Sequence, residues 1–112
     1  MSHIYVIGPP SPASGPVKIG LSGNVDQRLR ALRLGTDTTR IPADACRDSL
    51  TLLYSHEGDR RLERALHLHL SRLRVIGEWY RLDPAVARRE VRMAIREVAR
   101  TPMALRVYAG AS

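Results

Sequence analysis

Asp59-Arg60-Arg61-Leu62-Glu63-Arg64-Ala65-Leu66-His67 is the stretch on which the reading of the chain turns. Leu62, Leu66, Leu70 and Leu73 recur at helical spacing, so an amphipathic helix is expected here. Asp59, just after Gly58, stands where an N-cap belongs. At roughly 100° per residue, Glu63, His67 and Arg74 fall on one stripe beside the leucines. A carboxylate at the border of a buried face is partly desolvated and rigidly held, which suits a metal ligand. Glu and Arg are also ordinary surface helix formers, so the rest of the chain must decide.

The 112 residues suffice for one domain with one modest core. The formal charge of +7 comes almost entirely from arginine. It predicts attraction to polyanions, nucleic acid first and a membrane surface second. Arginine favours phosphate because its planar fork binds bidentately. Cys46 is the only cysteine, which excludes an internal disulfide and fits a reducing cytoplasm. The start lacks a charged n-region and its apolar run is broken by prolines, so no signal peptide is expected. No apolar run is long enough to cross a bilayer. These features make a cytoplasmic protein without a membrane partner the expectation.

His3-Ile4-Tyr5-Val6-Ile7, ended by Gly8-Pro9-Pro10, predicts a strand, and Val17-Lys18-Ile19-Gly20-Leu21 a second that pairs with it as a hairpin. Alternation puts Ile4 and Val6 on one face and Tyr5 and Ile7 on the other. Lys18 and Gly20 share a face, and a lone lysine in an apolar strand is expected on an open, solvated side. Gly20 is useful where another chain or a phosphate must approach the backbone. Asn24 to Gln27 predicts an N-cap with Gln at N3. That helix carries Val25, Leu29 and Leu32 inward, ends near Gly35, and has Arg28 at its border with Arg30 and Arg33 pointing outward.

Thr36 to Asp48 shows no periodicity, and Leu50 to Ser55 predicts a third strand. Ile76 to Leu82 predicts a turn and a short extended segment, with Trp79 a core plug. Asp83 and Pro84 make an N-cap and N1 pair. The last helix runs to about Arg100, with Ala87, Val91, Ala94 and Val98 inward. Arg88, Arg89, Arg92, Arg96 and Arg100 spread over its outer side, as a phosphate-facing or merely solvated surface. The tail from Met103 is expected to be loosely held or to pack on a partner.

Gly15 and Gly20 have the separation of a phosphate loop, but the required lysine after the second is missing. His67 and His69 diverge on a helix and cannot grip one zinc; His69 is expected in the core. The chain thus reads as one α/β domain, a small and mainly antiparallel three-stranded sheet flanked by helices. Residues 1–82 form its main part, 83–100 a basic helix packed on it, and 101–112 a tail.

The order of parts is specific: a strand with Tyr5, a strand with Lys18-Ile19-Gly20, a helix with Arg28, a strand, a helix with Leu62-Glu63 and His67, then Gly77-Glu78-Trp79-Tyr80. It resembles the GIY-YIG endonuclease superfamily, and within it the short bacterial and phage branch named after the meiotically up-regulated gene 113 product. The resemblance implies a metal-dependent endonuclease that hydrolyses DNA. His3-Ile4-Tyr5 stands for its first motif and Lys18-Ile19-Gly20 for its second, with Lys18 where the name has Tyr. It further implies Arg28 as the helix arginine and Glu63 as the metal ligand, here for Mg²⁺ or Mn²⁺.

In such an enzyme Arg28 holds a non-bridging phosphate oxygen and Tyr5 is the general base, with Lys18 lowering its pKa or orienting the water. His67 orients a water at the metal or binds the phosphate. Arg30, Arg33, Arg74, Arg89, Arg92 and Arg96 are the expected DNA-binding residues. Any sequence selectivity then calls for a homodimer or a separate DNA-targeting partner. The alternatives left open are a non-catalytic nucleic-acid-binding module on the same scaffold and a basic protein-interaction domain.

Overall fold

The computed structural model describes residues 1–10, 16–36 and 41–100. Eight regular elements follow in order: β1 (His3–Gly8), β2 (Val17–Ser22), α1 (Val25–Leu34), β3 (Thr51–Glu57), α2 (Arg60–His69), β4 (Arg74–Ile76), β5 (Trp79–Tyr80) and α3 (Pro84–Ala99). The strands form one antiparallel sheet in the order β3-β1-β2-β5-β4. The sheet therefore has five strands rather than the three expected. The two missed strands, of three and two residues, are too short to show a period. They are joined through Gly77 at φ +54°, a left-handed conformation that glycine adopts without strain. The expected tail beyond Met103 lies outside the described residues.

The helices begin and end as their capping residues dictate. The Asn24 side chain accepts from the Gln27 backbone N–H, and Gly35 closes α1 at φ +75°. Asp59 accepts from Leu62 N–H at 3.0 Å, and Asp83 from Ala85 N–H at 2.9 Å. Helix α2 stops at His69, short of the leucine pattern; Leu70 caps it and Ser71–Leu73 form a single 3₁₀ turn. Arg74 is consequently a strand residue, not one more step on the helical stripe.

Both faces of the sheet are covered. On one, Ile4, Val6, Val17 and Ile19 pack with Leu66 and Leu70 of the α2 region and with Ala87, Val91, Ala94 and Ile95 of α3. On the other, Tyr5, Ile7 and Trp79 pack with Leu32 of α1 and with Leu50. Helix α3 thus shares the core of the hairpin and α2 instead of resting on a finished domain.

This three-layer arrangement overturns the expectation of an open face for Lys18, whose side chain is only 2% exposed. Its stem lies under α1's side of the sheet, its ammonium 5.9 Å from the centre of the Trp79 ring. His69, expected in the core, is exposed at the last residue of α2. Arg33, expected to point outward, donates from Nε to the Leu50 carbonyl at 2.7 Å and ties α1 to the entry of β3. Arg47 does the same for the Leu32 carbonyl, also at 2.7 Å. No helix among the described residues is long and apolar enough to cross a membrane.

Leu66 is fully buried where α2 meets the sheet and α3. Leu66→Ala should cost about 2–5 kcal/mol of stability, read as a fall in the urea midpoint with little change in slope.

Candidate functional site

Glu78 follows the Gly77 turn and its own backbone is pinned, since the Ile19 N–H donates to the Glu78 carbonyl at 2.9 Å. Its carboxylate Oε1 stands 3.1 Å from the Lys18 ammonium. A cation removed from water needs such a counter-charge, so the half-exposed Glu78 is what makes burial of Lys18 tolerable. The hairpin register sets Tyr5 opposite Gly20. A Cβ at position 20 would stand 2.5 Å from the Tyr5 hydroxyl oxygen and 3.1 Å from Glu78 Oε1. Gly20 therefore makes room for the tyrosine and the glutamate rather than for an incoming chain.

From the opposite layer, α2 brings Glu63 and His67, one turn apart, to the same carboxylate. The ligand atoms of Glu63, His67 and Glu78 lie within 4.8 Å of one another. Glu63 and His67 approach to 4.0 Å. The His67 ring stands edge-on to Tyr80, with centroids 5.3 Å apart at 89°. Its Nε2 is 3.1 Å from the Ile19 carbonyl; a carbonyl only accepts, so Nε2 carries the hydrogen.

These three residues, with Arg64, Arg74 and Gly77, line an open cleft of about 390 Å³ between α2 and the β4–β5 turn. Tyr5, Lys18 and Arg28 do not line it. Tyr5 is 1% exposed and Lys18 touches the site through Glu78 from behind. Arg28 is half-buried on α1, across the sheet from α2.

Among the expected DNA-binding residues only Arg74 reaches the cleft. Arg30 is exposed on α1, and Arg33 is engaged with Leu50. Arg89, Arg92 and Arg96 are exposed on α3, which contributes no residue to the cleft. Sequence reasoning missed Glu78 and Arg64. Glu78 sits in the Gly-Glu-Trp-Tyr piece, where its only signal was a carboxylate next to a turn glycine. Arg64 adjoins Glu63 and was passed over because α2 carries several arginines.

The electrostatics mark the floor of the cleft as short of positive charge. Burial, then the Glu78 carboxylate beside it, push the Glu63 carboxyl above its ordinary value, against the opposing pull of Arg60 and Arg64. Burial holds His67 below its ordinary value, assisted by Arg74 and Lys18 and opposed by Glu78 and the Ile19 carbonyl. Two carboxylates this close in a half-buried place repel, and either a proton or a cation relieves them. Ligands of one small divalent ion are spaced at most about 4 Å, so this set fits one after a slight inward movement. With the ring hydrogen on Nε2 in use, the two carboxylates are the stronger pair of donors, and oxygen ligands suit a hard ion.

The chain matches the family model of the T5orf172 domain over residues 2–99, and it belongs to that family. This corrects the GIY-YIG assignment that the order of motifs suggested: the match is to a different family, and none is found to GIY-YIG. Pieces as short as Tyr5 or Lys18-Ile19-Gly20 carry little information, so their order alone did not decide membership. No curated protein and no solved structure matches the chain significantly.

Because the folded protein holds the Glu63 proton more tightly than the unfolded chain, the contribution of Glu63 to stability without divalent ions is lost as pH rises through the carboxyl's ordinary value to its raised one. Glu63→Gln removes the repelling charge and keeps a donor for Glu78. In EDTA at neutral pH the variant should therefore melt a few degrees above wild type, and the gap should close toward pH 4. A variant that melts far below wild type at both pH values would show that Glu63 is structural.

Proposed function

We propose that this chain is a metal-dependent endonuclease hydrolysing DNA phosphodiester bonds at the cleft between α2 and the β4–β5 turn. The observation that carries the reading is the Glu63–His67–Glu78 cluster on the floor of a cleft whose walls hold two arginines. Membership of a nuclease-associated family supports it, as does the formal charge of +7.

Glu63 and Glu78 are the residues that would hold Mg²⁺ or Mn²⁺. When bound, the ion supplies Lewis-acid stabilisation of charge on the phosphoryl and leaving oxygens. Lys18 holds the Glu78 carboxylate in place from the buried side, and the Tyr5 ring closes the space behind it. His67, kept neutral by its surroundings and fixed by the Ile19 carbonyl, presents a rigid imidazole to the cleft and orients the attacking water. Arg64 and Arg74 hold phosphate oxygens from the walls. In the reaction the water oxygen bonds to phosphorus and gives up one proton to solvent, the P–O ester bond breaks, and the released oxygen takes up one proton from solvent, so that one water is consumed.

One observation favours a second reading, a nucleic-acid-binding module without cleavage. Most of the exposed arginines, including Arg30, Arg89, Arg92 and Arg96, lie away from the cleft, where they can grip a backbone without approaching the acidic cluster.

A plasmid-nicking assay with Mg²⁺ and with Mn²⁺ separates the two. Wild type should nick, and Glu63→Gln should be slower by at least about a thousandfold, since metal charge stabilisation is worth several kcal/mol and each ~1.4 kcal/mol is tenfold in rate. Binding of DNA by the variant should persist. Salt-dependent binding with no cleavage by either protein would replace the enzyme by the binding module.

A further inference from the structure

Resting on the metal-site reading above, we propose that Arg64 and Arg74 form a phosphate subsite that works only with the divalent ion in place, so that DNA and ion bind this cleft cooperatively. The two arginines come from different elements, Arg64 from α2 and Arg74 from β4, and line the same cleft as Glu63 and Glu78. Neither is taken up by an ion pair among the described residues. Gly77 also lines the cleft, and a Cβ there would meet nothing within 4 Å, so the cleft is open on that side.

The charge balance of the cleft produces the coupling. Arg64 and Arg74 share the cleft with two carboxylates, of which Glu78 is paired from behind by Lys18 while Glu63 has no such lysine partner. A phosphodiester drawn to Arg64 and Arg74 must come close to Glu63 and Glu78, and that repulsion cancels much of the attraction. A divalent ion held by the carboxylates turns the floor from repelling to attracting and leaves both guanidiniums free for phosphate oxygens. Each ligand then raises the affinity of the other by the same factor. The arginines of α3 face no such carboxylate pair in the cleft, so their attraction for DNA is independent of the ion. The α3 surface gathers DNA, and the Arg64–Arg74 subsite seats one phosphate only when the ion is present.

The test is the anisotropy of a fluorescein-labelled DNA duplex titrated with protein in EDTA and in Ca²⁺ at matched ionic strength. Calcium should tighten wild-type binding roughly tenfold, within the usual range of coupling between sites. Arg64→Gln with Arg74→Gln should lose most of that gain while binding in EDTA changes little. Both positions lie at an open cleft, so folding should be kept; Arg64→Lys with Arg74→Lys, which retains charge without the fork, should recover part of the gain. The triple change Arg89→Gln, Arg92→Gln, Arg96→Gln should weaken binding equally in both buffers. Wild-type binding indifferent to calcium, or a double Gln variant with the full gain, would overturn the proposal. Calorimetric titration of Ca²⁺ into protein alone tells the failures apart. An ion that binds alone without affecting DNA refutes only the subsite, whereas an ion that binds neither alone nor with DNA refutes the metal site as well.

Discussion

A buried ammonium has few places to put its charge, and among the described residues one carboxylate answers it. Lys18 is the chain's only lysine, and it is enclosed on a sheet face that α1 covers. The Glu78 carboxylate 3.1 Å away is its counter-charge. That requirement fixes where the β4–β5 turn sits against β2, since a shift of even one residue would move Glu78 to the other face. The same carboxylate is the point that Glu63 and His67 reach from α2. The pair therefore links the two layers on either side of the sheet, and both the packing of the last two strands and the floor of the cleft depend on it.

The cleft inherits its chemistry from this arrangement. Lys18 satisfies Glu78 from one side only, which leaves the other side turned toward a second carboxylate. The result is a place where negative charge is concentrated but not fully neutralised; burial first, and the neighbouring Glu78 second, raise the proton affinity of Glu63.

Much of the fold was legible because local physics fixed it. The β1–β2 hairpin, the three helices and their Asn24, Asp59 and Asp83 caps stood in the sequence as periodicity and capping chemistry. The parts that were not legible share a physical cause. Strands β4 and β5 are too short for a period. Whether Lys18 met water depended on α1 and Trp79 covering its face, which alternation along β2 cannot reveal. Site membership followed the same divide. Glu63 and His67 were visible as one helical stripe, and Arg74 belonged with them for a reason other than the helix. Glu78 and Arg64 carried no periodic mark.

What the chain determined by itself was the set of elements, the two apolar faces of the hairpin, the excess of arginine and the carboxylate one turn before a histidine. These follow from interactions between residues a few positions apart, where spacing and geometry are nearly the same thing. Only the tertiary structure decided that the Gly77 turn would deliver Glu78 to Lys18 and Glu63 at once, that Tyr5 would be enclosed behind Gly20, and that the arginines of α3 would lie away from the cleft. Those are meetings between residues tens of positions apart. They are set by how the layers close over the sheet, and no local pattern in the sequence encodes where those layers meet.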